Sequence, residues 1–306
     1  MGESDALIRL DAATVLLQWA TGGLLFLWVT SRRRLLGIGY GWLLRTVYAV
    51  IAVGAVVAGQ LTQPVPVRDV CSALVAVAAA VALVVSIVRR RAGVSGQRAL
   101  KERRAARVAA MLGADGGTPS AAGDTSTAPD RLERHQLAPA DREFPPVLDL
   151  VAPAIGFVGL VAAATDAGGP TVLALVRILA GAAFLGAVSD AMLLGHWYLV
   201  QPGLGREPLF ELNRWLAITW PIEVGALLWP TGMLSVLSGT IDDGWNGTLG
   251  WFWVACAVTT LVLTFVTAKA LEEKSYSAVM AATGLLYLAI LMAFGTDLVA
   301  RAVLAG

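Results

Sequence analysis

Long apolar stretches separated by short polar breaks make up most of this chain. A hydrocarbon core about 30 Å thick needs about 20 apolar residues of helix. Eight stretches satisfy that length: 12 to 30, 41 to 62, 69 to 88, 147 to 164, 171 to 195, 216 to 238, 249 to 268 and 277 to 299. The pattern predicts an all-α, polytopic transmembrane helix bundle of about eight spans. One long polar interruption divides it into a three-span segment (1–92), a cytoplasmic segment (93–145) and a five-span segment (146–306). The halves are unequal and show no internal match, so the inverted repeat of many transporters is not visible.

The interruption changes composition twice. From Arg89 to Arg107 it holds eight basic residues and a single acid, Glu102. Its Ala, Leu and Arg content favours helix, either prolonging the third span or lying along an anionic leaflet at about 1 kcal/mol per basic residue. A stop-transfer anchor is the plain reading, and a docking site for partners in a membrane complex is the sharper one. Beyond Gly113 the chain turns to Gly, Ser, Thr, Pro and Asp, which predicts a disordered linker. His135 lies there and reads as a solvated spacer.

Charge placement sets orientation, because Lys and Arg are retained on the cytoplasmic side. The breaks at 31–40, 89–146, 201–215 and 269–276 hold 3, 11, 2 and 2 basic residues, whereas the opposite side holds Arg9, Arg68 and Arg301. Both termini are therefore predicted outside. Acidic Glu3, Asp5 and Asp11 precede the first span, the reverse of a cleavable leader, so that span is expected to stay. Tryptophans 245, 251 and 253 mark one interface, and 197, 215 and 220 the other.

Composition fits this frame. The chain is 57% hydrophobic and 15% charged, well below the charge of soluble domains. Positive and negative residues nearly cancel, 23 against 22, which gives no argument for nucleic acid. Only three basic residues are lysines, a bias that points to a high-GC bacterium, and the eight helical spans then predict its inner membrane. Cys71 and Cys256 read as small apolar packers near the outer ends of spans. Small residues four apart, Gly54 with Ala58 and Ala182 with Gly186, permit close helix approach.

Ionisable groups within a bilayer cost about 2.5 to 3.5 kcal/mol near its centre, so each one marks a candidate site. Here they are Arg45, Arg177, Asp190 and Glu223, with Asp149, Lys269 and Asp297 nearer span ends. The densest polar stretch joins spans five and six. Counting along those spans places Asp190 and Glu223 at similar depth and His196 near the inner interface. Tyr198, Arg206 and Arg214 complete a predicted substrate-binding site of six residues at the cytoplasmic mouth. Asp190 and His196 are nonetheless about 120° apart on a straight helix. A purely structural reading, in which Asp190 or Glu223 pairs with Arg177, Arg45 or Arg214, accounts for the same residues. Pro221 and Pro230 would kink span six.

Several chemistries are set aside. Bis-histidine haem needs two intramembrane imidazoles and His196 is the one candidate. No phosphate-binding glycine motif, HExxH or nucleophile elbow occurs. No cofactor is predicted. Three functions stay open: a small-molecule or proton transporter, a non-catalytic subunit of a membrane complex, and an enzyme using His196 on a lipid or quinone.

Overall fold

A computed structural model describes residues 11–33, 35–89, 144–201, 204–230, 232–273 and 275–305. The expected linker, most of the basic stretch 89–107 and His135 lie outside the described residues. The described residues are helical, without strands. The elements are α1 (Ala12–Ser31), α2 (Ile38–Leu61), α3 (Pro66–Val88), a 3-10 turn (Pro146–Leu150) running into α4 (Val151–Asp166), α5 (Thr171–Val200), α6 (Glu207–Leu228), the short α7 (Met233–Leu237), α8 (Thr248–Glu272) and α9 (Tyr276–Ala305).

Local chemistry fixes many of the helix ends. Asp11 caps α1, accepting from the Ala13 N–H at 3.1 Å and the Thr14 hydroxyl at 2.6 Å. Pro66 and Pro208 stand at the first turns of α3 and α6, where a missing N–H costs nothing. Before α8, the Asp243 carboxylate accepts backbone N–H groups from Trp245, Gly247, Leu249 and Gly250. Its desolvation works against ionisation, but those four donors outweigh it and hold Asp243 below the usual carboxylate range.

Seven described helical units are long and apolar enough to cross a membrane: α1, α2, α3, the Pro146–Asp166 unit, α5, α8 and α9. The expected sixth span, 216 to 238, differs. Its helix starts at Glu207 and ends at Leu228, before Pro230, and the remainder is the short α7. Glu207, Glu211, Arg214 and Glu223 make α6 too polar to pass as a membrane crossing on composition. It nevertheless lies along α5 from end to end and against α8 from Asn213 to Trp220. Tyr198 of α5 bonds the Gly205 carbonyl just before α6, and Arg177 bonds the Ala226 carbonyl near its end. Asn213 bonds Thr264 O at 3.0 Å, and Trp220 bonds Ala257 O at 2.9 Å. Both pairings are antiparallel and in constant register.

Helices α1 and α5 form the centre. In their most apolar windows 72% and 61% of residues are buried, against 33 to 44% for the other crossing helices. α1 packs on α2, α4 and α5, and α5 packs on α1, α6 and α9. Contacts at helix ends define two poles. One, the basic end, brings together the end of α1, the start of α2 and α4, the α5–α6 turn and the α8–α9 turn, with Arg32, Arg33 and Arg206. The far end holds the starts of α1 and α3. Cys71 and Cys256 are free and buried, seated against Gly159 and Gly295 respectively.

Candidate functional site

The six residues predicted to form one site are distributed over two buried centres and the molecular surface. The first centre lies toward the basic end, between α1, α2 and α5. Asp190 is fully buried there, and Tyr48 of α2 donates its hydroxyl to Oδ1. The Tyr48 ring occupies the space that a side chain on Gly23 of α1 would fill. Tyr40, eight residues earlier on α2, is also buried, its ring 6.2 Å from that of Trp197 on α5. Tyr198 in turn donates to the Gly205 carbonyl in the α5–α6 turn. Asp190 thus sits at the deep end of a track of three phenols leading to the basic end. Its Oδ2 has no hydrogen-bond partner among the described residues.

The second centre lies toward the far end, between α1, α5, α6 and α9. Arg301 Nε donates to both Asp297 oxygens at 3.0 and 2.9 Å. The Glu223 carboxyl faces Asp297, Arg301 and Arg177. All four side chains are at most 1% exposed. Gln18 of α1 reaches in and donates to Ile178 O at 2.6 Å. Gly181 makes room for the group: a β-carbon there would stand 2.8 to 3.0 Å from Gln18 Nε2, Asp297 Oδ1 and Arg301 Nη2. Gln18 Oε1, both Glu223 oxygens and Arg301 Nη2 have no hydrogen-bond partner among the described residues. Arg177 has a second task. Pro230 has no N–H to offer the Ala226 carbonyl four residues earlier, and Arg177 Nε supplies the donor at 2.9 Å.

A glycine crossing separates the centres. A β-carbon on Gly22 of α1 would overlap the Ala182 carbonyl of α5, and one on Gly186 would overlap Gly22. The backbones of α1 and α5 therefore touch with no side chain between them. On the basic-end side, Trp19 Nε1 donates to Ser189 at 2.8 Å.

The expected common depth of Asp190 and Glu223 is corrected by these contacts. Because α6 begins at Glu207, Glu223 lies about 24 Å along it. That places it beside the α5 residues near Arg177 and Gly181, roughly 15 Å from Asp190 along the bundle. His196 does not join either centre: it is exposed, on another face of α5, and pairs with the Tyr287 hydroxyl at 2.9 Å. Arg206 donates to the carbonyls of Leu271, Glu273 and Ser275, closing the end of α8. Arg214 is exposed. Of the six, Asp190 and Tyr198 share the basic-end centre and Glu223 belongs to the far-end one.

Other buried charges are paired. Arg45 forms a two-point bond with Asp149 at 2.8 Å on each arm and lies over Phe144, joining α2 to the start of α4. Arg68 binds Asp11 and Asp69 at the far end. Sequence reasoning missed Tyr40, Tyr48, Gln18 and the Asp297–Arg301 pair. Only the last had a local signal, opposite charges four apart in an apolar helix.

Among the described residues no cluster of His, Cys, Asp and Glu is arranged to hold a metal ion. No family model matches the chain, and neither a curated protein nor a solved structure is significantly similar to it.

Proposed function

We propose that the chain is a proton-handling transport protein of a bacterial inner membrane, with Asp190 and Glu223 as its proton-carrying groups. The observation that carries the reading is Asp190 itself. One of its oxygens is held by Tyr48, the other is open, and three buried phenols lead from it to the basic end. Such a carboxyl can take a proton on the open oxygen without breaking its existing bond. Hydroxyls of Tyr48, Tyr40 and Tyr198 supply both donors and acceptors along the way.

Glu223 gives the matching station toward the far end, opposite Asp297 and near two guanidiniums, so that the four groups sum to zero when Glu223 is ionised and to one positive charge when it is protonated. The crossing at Gly22 and Gly186 keeps the two apart, so a proton passes only when α1 and α5 shift against each other. In this reading α6 is an eighth crossing, its polar side chains turned into the bundle or held at its basic end. The basic end faces the cytoplasm, in keeping with eighteen basic residues on that side of the sequence against three on the other, and both termini lie outside. The basic residues of the stretch 89–107 would serve partners or anionic lipid on this side of the membrane.

The test is proton flux into proteoliposomes holding a pH-sensitive dye, driven by a potassium diffusion potential. Wild-type protein is expected to acidify the lumen faster than empty vesicles, and D190N and E223Q are each expected to abolish the difference. Equal flux in wild type and both variants would refute the assignment.

A further inference from the structure

The basic end carries a feature that neither carboxyl centre uses. Arg32 and Arg33, at the end of α1, converge on one carboxylate: Arg32 Nη2 lies 2.5 Å and Arg33 Nη1 3.4 Å from Glu211 of α6. The Arg32 guanidinium also stands 5.4 Å over the Trp28 ring. One turn further along α6 Arg214 is exposed, next to Trp215, whose ring meets Phe26 edge-on at 6.0 Å. Two guanidiniums therefore share one carboxylate where α1 ends against the first turns of α6, with exposed Arg214 three residues further along α6 and indoles on both helices. Away from this end the same two helices expose apolar side chains, Leu25, Ile218 and Ile222.

We infer that this corner binds the headgroup of an anionic phospholipid. Arg32, Arg33 and Arg214 would hold the phosphate and its neighbouring negative charge, and the acyl chains would lie along Leu25, Ile218 and Ile222. Charge complementarity selects this occupant. Guanidinium forks match phosphate oxygens, Glu211 neutralises only one of the three, and a zwitterionic lipid would bring its own ammonium into a surplus of cations. Indoles at both helices mark the depth at which headgroups lie. The inference is independent of proton transport, because none of these residues belongs to either carboxyl centre.

Native mass spectrometry of the full chain in mild detergent, titrated with phosphatidylglycerol and separately with phosphatidylcholine, tests it. Wild type is expected to retain one phosphatidylglycerol that R32Q/R33Q/R214Q binds at least about tenfold more weakly. The control K269Q, which removes a cation paired with Glu272 on α8 rather than with Glu211, should keep it. E211Q, which removes the opposing charge and leaves the three cations, should bind it more tightly. Equal retention of the two lipids by wild type, or wild-type retention by the corner triple with an unchanged helical circular dichroism spectrum, would overturn the proposal. So would weaker binding by E211Q.

Discussion

The two buried centres answer the same problem, carboxyl groups in a dry helix bundle, in opposite ways. Around Asp190 the compensating groups are neutral: Tyr48 donates directly, and Tyr40 stands nearby. Around Glu223 they are charged, with Arg301 bound to Asp297 and Arg177 close by. The first arrangement leaves a single acid whose charge depends on its proton. The second is a balanced set in which one proton more or less changes a net charge already spread over four side chains.

The comparison can be broken most severely at the crossing between the centres. Gly186→Val places a branched side chain where Gly22 backbone already stands, and it is expected to cost upwards of about 3 kcal/mol or to yield no folded protein. Gly225→Ala, with nothing within 4 Å of the added carbon, should fold normally. Thermal unfolding in detergent reads both.

Next in size is Arg301→Ala, which strands Asp297 and Glu223 without their main cation and is expected to cost about 3 to 5 kcal/mol. Replacing Asp297 and Arg301 together by leucine and methionine should recover most of that loss. Failure of the double variant to recover would mean that the centre contributes geometry as well as charge balance.

Tyr48→Phe removes the one donor to Asp190 among the described residues and should cost about 1 to 3 kcal/mol, with a matching loss of proton flux. Glu223→Gln is expected to do the reverse for stability. It puts an amide N–H toward Asp297, so unfolding should move up slightly, within about 1 kcal/mol, even as flux falls. A stabilised but inactive E223Q beside a destabilised Y48F would show that the two centres differ in kind. The smallest effect is expected for His196→Ala, within about 0.5 kcal/mol of wild type, because His196 is exposed and bonded only to Tyr287 among the described contacts.

Membrane-helix architecture was legible from apolar run lengths alone, since only helices and closed barrels satisfy their backbone hydrogen bonds in hydrocarbon and runs of about 20 apolar residues fit a helix rather than a barrel strand. The expected misreading came at α6. Hydropathy rises only at 216, so the polar turns from Glu207 onward read as loop, and the depth of Glu223 was displaced with them. Those turns are helical because Asn213 and Glu211 find partners on α8 and α1, contacts that no local window contains. Asp190 was legible as a rare acid in an apolar span. Its partner Tyr48, 142 residues away, was not.

Sequence by itself determined that the chain folds as membrane-embedded helices, where most of them begin and end, and which ionisable residues they carry inward. Bilayer solvent imposes those features one segment at a time. Only the tertiary structure decided which groups meet, because that depends on the rotation and register of neighbouring helices. Contacts between small residues set both: the touch of Gly22 on Gly186 fixes α1 against α5, turns Asp190 toward Tyr48, and leaves Glu223 to Asp297 and Arg301 on the other side of the crossing.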